Sequence, residues 1–168
     1  MPLHSDAEPP VSRPRIGFDA FLGLWTVRRR IVDHLTGTVQ LFEGTALVEP
    51  DRFLEQGEAE AGSGRFAARR TYRLTRRPGS LAVSFAGGAD FISLGSGSRQ
   101  IVRHDCSPDT YKGQFFFRDE HNWAEFWRVV GPRKHYTSLG HYTRPCDEKT
   151  AGLPMEIDRH RVALDRME

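Results

Sequence analysis

About ten short segments of alternating polar and apolar residues follow one another between Leu24 and Thr143, and this succession constrains the fold more than any other feature of the sequence. Turn-forming residues such as Glu49-Pro50-Asp51 and Arg77-Pro78-Gly79 separate the segments. The links leave no room for a long amphipathic helix, so parallel crossovers are excluded and an antiparallel meander remains. The predicted strands cover 24–32, 38–48, 52–58, 65–75, 81–85, 91–94, 100–106, 110–118, 123–130 and 134–143.

A ten-stranded meander has two open edges, and closing the sheet on itself removes them. We therefore predict an all-β fold: a single closed antiparallel up-and-down barrel of about ten strands. A short helical turn at Phe18 to Leu22 precedes it. The domain prediction is a disordered N-terminal tail over 1–15, the barrel over 16–145, and a C-terminal tail over 146–168 that is compatible with a short helix. Barrels of this size often enclose a cavity for one small ligand.

Charge and cysteine content narrow the partners and the compartment. The chain has 168 residues and a formal net charge of +2, which gives little field for nucleic acid. It contains no run of about 18 apolar residues and starts without the apolar core of a secretory signal. Its two cysteines, Cys106 and Cys146, do not make a disulfide scaffold. We therefore expect a cytoplasmic protein with no nucleic-acid or membrane partner, no metal and no cofactor.

The ends of the barrel segment carry a recognisable pattern. Gly23-Leu24-Trp25 opens the first strand after a short turn, and Arg144 follows the last strand. This pattern resembles the signature of lipocalins and other calycins, in which the tryptophan closes one end of the barrel and an arginine packs over its ring. The resemblance implies that Gly23, Trp25 and Arg144 close the barrel. A guanidinium over an indole ring contributes about 0.5–2 kcal/mol.

Longer stretches resemble an uncharacterised, mostly bacterial family of lipocalin-like proteins that is known as a domain of unknown function. These stretches are FLGLWTVRRRI, HDCSPDTYKGQFFF and FWRVVGPRKHYTSLGHYTR. The resemblance implies a lipocalin-like barrel and brings no established activity with it. The sequence departs from secreted lipocalins because it lacks their signal peptide and their disulfide.

Charged residues on otherwise apolar strands predict a polar feature inside the barrel. Arg29 and Arg70 share the strand faces of Trp25 and Phe66. A buried charge is costly unless it is paired, so each arginine should meet Glu43, Glu55 or a ligand carboxylate. A closed internal salt-bridge network and an anion-binding site are both open interpretations. The residues expected to be mostly buried are Trp25, Val27, Phe66, Tyr72, Val83 and Trp127.

A second polar set lies on the last four strands, which short turns join in sequence. His104 and Cys106 share one strand face, where they could act as a thiolate nucleophile and its base, or serve only as structural residues. Adjacent strands carry Tyr111, Trp127 and the pair His135 and Tyr136, of which one should point inward. We predict that these residues line the cavity. The predicted ligand-binding residues are Arg29, Arg70, His104, Tyr111, Trp127, His135 and Tyr136.

Three functions fit these observations. The first is a small-molecule binding barrel whose ligand is partly apolar and perhaps anionic. The second is an enzyme on the same scaffold, an isomerase, lyase or hydrolase that uses His104, Cys106 or Tyr111, although no catalytic residue is assigned. The third is a haem-binding barrel in which His104, His135 or His141 holds the iron. An outward Phe116 or Phe126 would favour a homodimer, or would be covered by the C-terminal segment.

Overall fold

The computed structural model describes residues 17–145, so the predicted tails over 1–15 and 146–168 lie outside the described residues. Ten antiparallel strands follow a short 3-10 turn, Phe18–Phe21. The predicted all-β, up-and-down architecture is confirmed, and each predicted strand boundary lies close to the observed one. The strands are β1 Gly23–Asp33, β2 Val39–Val48, β3 Arg52–Ala61, β4 Gly64–Arg77, β5 Ser80–Phe85, β6 Asp90–Leu94, β7 Arg99–Cys106, β8 Asp109–Asp119, β9 Asn122–Gly131 and β10 Lys134–Thr143.

The strands form one continuous sheet that curls into a nearly closed barrel. Their order is β6-β5-β4-β3-β2-β1-β10-β9-β8-β7, so every chain neighbour except β6 and β7 is also a ladder neighbour. β1 and β10 pair along eight residue positions and join the two halves of the meander. β6 and β7 are the two ends of this order and meet without a shared ladder in the described part of the chain. The barrel therefore has one seam.

The barrel has two distinct ends. Odd-numbered strands begin at the end that carries the 3-10 turn, which we call the helix end, and even-numbered strands begin at the opposite end. The turns 49–51, 78–79, 95–98 and 120–121 lie at the helix end. The turns 34–38, 62–63, 86–89, 107–108 and 132–133 lie at the opposite end.

Trp25 and Arg144 close the wall beneath the 3-10 turn. Trp25 is fully buried, and its Nε1 donates a hydrogen bond of 2.8 Å to the carbonyl oxygen of Phe21. The Arg144 guanidinium carbon lies 4.0 Å from the centroid of the Trp25 ring, and its Nη2 donates to the Ala20 carbonyl at 2.7 Å. Gly23 has a φ of 103°, and a Cβ there would lie 3.1 Å from Arg144 Nη1. These contacts fix the 3-10 turn to the first and last strands.

Side-chain alternation fills the interior with the expected residues, with one exception. Trp25, Val27, Val83 and Trp127 are buried, and Tyr72 is half-buried. The prediction for Phe66 is wrong, because its side chain is 46% exposed. Phe66 pairs with buried Ala59 and so lies on the inward face, but it is two residues from the start of β4 at the opposite end. The strand face was predicted correctly, but this position lies at the rim of the barrel.

A glycine pair bends the sheet between β2 and β3. Gly44 and Gly57 are register partners, and the two backbones approach each other closely there. A Cβ on Gly44 would lie 2.2 Å from the Gln56 carbonyl oxygen and 2.7 Å from the Gly57 Cα. Real Cβ atoms do not tolerate such distances, so only glycine allows this close approach. Glycine kinks of this kind give a sheet the curvature that closure requires.

Candidate functional site

A cluster of two arginines, two glutamates and a tyrosine occupies the middle of the barrel. Alternation places Arg29 of β1, Glu55 of β3, Arg70 of β4, Glu125 of β9 and Tyr142 of β10 on the inward face. Their neighbours on the same faces are apolar, as in Trp25 and Val27 beside Arg29. The five side chains therefore form a polar layer inside an apolar interior, and we call them the ion cluster.

Arg29 contacts every other member of the ion cluster except Arg70 through its two terminal nitrogens. Its Nη1 donates to Glu55 Oε1 at 2.5 Å, and its Nη2 donates to Glu55 Oε2 at 2.8 Å. The same Nη2 lies 2.8 Å from Glu125 Oε1 and 2.6 Å from the Tyr142 hydroxyl. With 8% of its side chain exposed, Arg29 has no surface left for a ligand.

Arg70 completes the ion cluster from the other side. Its Nη2 contacts Glu125 Oε1 and lies 3.1 Å from Glu55 Oε2. Its Nε lies 3.0 Å from Glu55 Oε1, but the N–H does not point at that oxygen, so this contact is an ion pair without a hydrogen bond. The Tyr142 hydroxyl lies 2.8 Å from Glu55 Oε2 and 2.9 Å from Glu125 Oε1. Arg70 keeps 23% of its side chain exposed, toward the cavity described below.

The charges of the ion cluster cancel. Burial opposes the ionisation of Glu125, but Arg70 and Arg29 outweigh burial and lower the pKa of Glu125 to about 2. Burial likewise opposes ionisation of Glu55, and the same two arginines lower its pKa below the ordinary value. Burial raises the pKa of Tyr142 well above its ordinary value. At neutral pH the ion cluster therefore holds two cations, two anions and a neutral phenol.

The interpretation of Arg29 and Arg70 as members of a closed network is the one that the geometry supports. Of the predicted alternatives, Glu55 is the partner of both arginines, and Glu43 is the partner of neither. Glu43 lies on the outer face of β2, 3.6 Å from the equally exposed Arg28. Glu43 and Glu55 lie on different faces because the alternation of β2 turns odd-numbered residues outward.

Two members of the ion cluster, Glu125 and Tyr142, are absent from the set of residues predicted from the sequence. Glu125 sits between Trp123 and Trp127 on one strand face, and the Trp127 Nε1 donates to Glu125 Oε2 at 3.1 Å. The alternation of β9 places Glu125 on the same strand face as the two tryptophans, and this was the sequence signal that could have identified it. Gly140 is a further participant without a side chain, because a Cβ there would lie 3.2 Å from Glu125 Cγ and 3.3 Å from Arg29 Nε. This glycine leaves room for the ion cluster.

A cavity of about 580 Å³ lies between the ion cluster and the helix end. Its floor is Arg70 and Glu125, and its walls are mainly apolar. Aliphatic side chains come from β4, β5 and β6. The aromatic side chains of the wall include Phe53, Tyr72, Phe91, Phe115, Phe117 and Trp123.

The mouth of the cavity lies between the 3-10 turn and two turns at the helix end. Phe18, the β4–β5 turn and the 95–98 turn border it, together with Arg76 and Arg77. The Arg76 guanidinium carbon lies 4.7 Å from the Phe18 ring centroid, and the guanidinium is paired with Asp19. This pairing lowers the pKa of Asp19 and raises that of Arg76. Glu125 is the only acidic residue among the described residues that line the cavity.

Two of the seven predicted ligand-binding residues, Arg70 and Trp127, line this cavity. Arg29 lies beneath the floor, while His104, Tyr111, His135 and Tyr136 lie toward the opposite end. The cavity at the helix end is therefore not lined by these five side chains. Strand adjacency and face parity were predicted, but they do not say at which end the packing leaves space. The binding role of these residues stays a prediction.

The residues at the opposite end make contacts among themselves. The His104 ring centroid lies 5.1 Å from that of Phe91 and 6.0 Å from that of Tyr111. Lys134 Nζ lies 3.1 Å from the Tyr111 hydroxyl and 2.8 Å from Asp109 Oδ2, which ties β8 to β10. These contacts place aromatic rings beside His104 and an ion pair beside Tyr111.

The remaining predicted residues at this end point in different directions. Tyr136 shares the inward face of buried Ser138, and burial raises its pKa above the ordinary value. His135 lies on the outer face, with its ring centroid 4.9 Å from that of His34. Of the predicted alternatives, Tyr136 is thus the inward one. Cys106 is an exposed, free thiol at the end of β7.

Two further features bear on the function classes. Within residues 17–145, no group of three or more histidine, cysteine, aspartate or glutamate side chains has the geometry of a metal site. No helix among the described residues has the length and apolar character needed to cross a membrane.

Comparison with known protein families identifies the family to which the chain belongs. A family described as a family of unknown function, DUF6314, matches residues 21–144. The chain belongs to this family. The predicted resemblance to a lipocalin-like family of unknown function is confirmed. No curated protein matches the sequence of this DUF6314 member.

Two solved structures share the fold of this DUF6314 member at low sequence identity. The S-type phycobiliprotein lyase CPES from Guillardia theta has a TM-score of 0.57 and 8% identity, covering 78% of this chain and 92% of that one. A protein of unknown function from the DUF3598 family of Nostoc punctiforme has a TM-score of 0.52 and 12% identity, covering 83% of this chain and 52% of that one. These likenesses show the barrel fold.

Proposed function

We propose that this protein binds a small, largely apolar molecule in the cavity at the helix end of the barrel. The observation that carries the proposal is the cavity itself, about 580 Å³ with aromatic and aliphatic walls and a polar floor. Ligand sites commonly have volumes of about 300–1,000 Å³, apolar walls and a few convergent polar groups. The volume and the wall chemistry of this cavity fall within that description.

The polar floor of the cavity can orient a bound ligand. Arg70, with about a quarter of its side chain exposed, can donate to a ligand, and Glu125 can accept. Trp123 and Trp127 provide flat apolar surfaces on one side, and the Phe91 ring stacks on Trp127 at 5.3 Å between centroids. Flat rings of this kind suit a planar or conjugated ligand body as well as a chain.

The enzyme and haem alternatives receive less support from the geometry. Cys106 is exposed, and neither it nor His104 borders the cavity. None of the described residues that line the cavity is a histidine, so a haem in it would have no axial histidine from those residues. Binding without chemistry is therefore the function that we propose.

A cytoplasmic location and a homodimer belong to this proposal as expectations. The exposed free thiol of Cys106 is typical of a reducing compartment. Phe116 is 38% exposed and Leu139 is 40% exposed on the outer face of the barrel, where a second copy would cover them. Sedimentation velocity across a range of protein concentrations tests the dimer, and a constant monomer mass would contradict it.

The binding proposal is tested with Nile red, a neutral dye whose emission rises in apolar surroundings. The variant Ile92→Trp fills the cavity from β6, and Ile101→Trp is its control because Ile101 is 73% exposed on the outer face of β7. We expect the wild type and Ile101→Trp to bind the dye equally and Ile92→Trp to bind at least about tenfold more weakly. Absence of saturable binding to the wild type would refute the proposal. Equal affinity of all three proteins would place the dye elsewhere.

A further inference from the structure

We infer that the ligand is an elongated amphipathic anion whose charged group sits at the mouth of the cavity beside Arg76, while its apolar body runs inward to the ion cluster. This inference rests on the proposed function and names the class of ligand. One of the two interpretations left open by the sequence has the opposite orientation, with the anion held deep in the barrel by Arg29 or Arg70. The charge balance of the floor and the chemistry of the mouth favour an anion at the mouth instead.

The floor offers no net positive charge. Arg29 and Arg70 are matched by Glu55 and Glu125 at contacts of 3.0 Å or less, and the Tyr142 hydroxyl lies between them. A carboxylate placed there would meet Glu125 on the cavity floor at hydrogen-bonding range. A third anion buried against two cations would have no matching charge to offset its desolvation. The floor therefore suits a neutral polar group or an apolar end.

The mouth has the opposite balance. Arg76 and Arg77 border it, and Asp19 is the acidic side chain paired with Arg76 there. Asp19 binds the two terminal nitrogens of Arg76, and a guanidinium has five N–H donors, so Arg76 retains donors for a second anion. Among the described residues, no carboxylate lies within ion-pair distance of Arg77. The mouth thus carries a surplus of positive charge.

Arg76 is positioned rather than free. Its guanidinium lies over the Phe18 ring and remains 47% exposed on the side chain. A planar cation held on an aromatic face loses less freedom when it binds a carboxylate, which favours binding. The aromatic face belongs to the 3-10 turn, so the same contact sets the edge of the mouth.

The distance between floor and mouth sets the length of the ligand. Arg70 and Arg76 lie six residues apart on β4, which corresponds to about 20 Å between their Cα atoms. Both side chains face the cavity and shorten the path between their charged groups. An apolar body of about 12 to 16 Å fits, which is the length of a medium-chain alkyl carboxylate or of two to three fused or linked rings.

The inference is tested by displacement of Nile red with dodecanoate and with dodecan-1-ol, which differ only in the headgroup. We expect dodecanoate to bind the wild type at least about fivefold more tightly, an advantage that shrinks as salt is added. Arg76→Gln should abolish the advantage, and Asp19→Asn should increase it because a competing anion is removed. Dodecan-1-ol should bind all variants alike. The control is Arg65→Gln on the same strand as Arg76, which breaks an exposed pair with Glu60 of β3 and should change nothing.

The outcomes separate the two proposals. If Nile red does not bind the wild type, the proposed function fails and the inference fails with it. If Nile red binds but dodecanoate shows no advantage over dodecan-1-ol, or neither displaces the dye, the inference alone is overturned. A loss of the advantage in Arg76→Gln that also appears in Arg65→Gln would assign it to general charge and overturn the local role of Arg76. Circular dichroism of each variant confirms that the barrel is folded.

Discussion

The two positive and two negative charges of the ion cluster balance each other, and this balance allows a quantitative prediction about stability. In the variant Arg29→Met, Glu55 and Glu125 keep only Arg70 as a cationic partner, and the interior carries a net negative charge. In Glu55→Leu the imbalance has the opposite sign. In the double variant, Arg70 and Glu125 remain as one matched pair. Stability should therefore depend on the balance of charge more than on the number of contacts.

The contacts set the magnitude. Arg29 and Glu55 meet at 2.5 and 2.8 Å, which puts the charge centres roughly 4 Å apart. At that separation Coulomb's law gives about 4 kcal/mol for an effective dielectric constant of 20. Removing one partner of a buried pair typically costs about 3–5 kcal/mol. We expect each single variant to lose about 3–5 kcal/mol of unfolding free energy, and the double variant to lose less than either single variant because it leaves no unpaired buried charge.

Urea unfolding followed by tryptophan fluorescence measures this coupling. The same cycle on Arg28 and Glu43, which meet at 3.6 Å on the surface, is the control and should give about 1 kcal/mol or less. If the single variants are too unstable to fold, the double variant should still fold. Additive losses at the buried pair within about 0.5 kcal/mol, or a double variant that is also unfolded, would refute the reasoning.

Two further predictions concern curvature and acid stability. Gly44→Ala should lose about 2 kcal/mol or more of unfolding free energy in urea, because its Cβ would overlap the β3 backbone. The control Gly87→Ala, with open space around the glycine, should be near neutral. Equal losses in the two variants would contradict the role given to the close approach of β2 and β3. Glu125 has a pKa of about 2 in the folded protein against 4.5 ordinarily, so its contribution, on the order of 3 kcal/mol, is complete above pH 4.5 and is lost as the pH falls toward 2. Thermal melts should therefore show a smaller acid loss for Glu125→Gln than for the wild type, and parallel pH profiles would count against this assignment.

Local sequence patterns predicted the strands because alternation and turn chemistry are short-range properties. Turn residues such as Pro50 and Gly79 delimit β2, β3, β4 and β5 to within three residues of the observed ends. The contact between Trp25 and Arg144 was predicted from the resemblance to lipocalins, and the structure contains it. Strand alternation also placed the side chains of Arg29 and Arg70 on the inward face, where the structure has them.

The position of the cavity could not be predicted from local sequence patterns in the same way. Its position depends on how side chains from eight or more strands fill each layer, which no single strand encodes. Gly140 and Glu125 illustrate this, because one removes volume and the other adds charge at the same level of the barrel. The error at Phe66 has a similar origin, since a rim position and a core position look alike in a strand pattern. Long-range packing, not strand formation, determined which end stayed open.

The seam between β6 and β7 has a consequence for how the barrel moves. β6 has only five residues and forms its ladder with β5 alone, whereas β1 is held by a strand on each side. Detaching β6 therefore breaks the fewest backbone hydrogen bonds, and its opening free energy is among the lowest in the sheet. Phe91, Ile92 and Leu94 of this strand belong to the cavity wall. Local opening of β6 would therefore widen the cavity without global unfolding of the barrel.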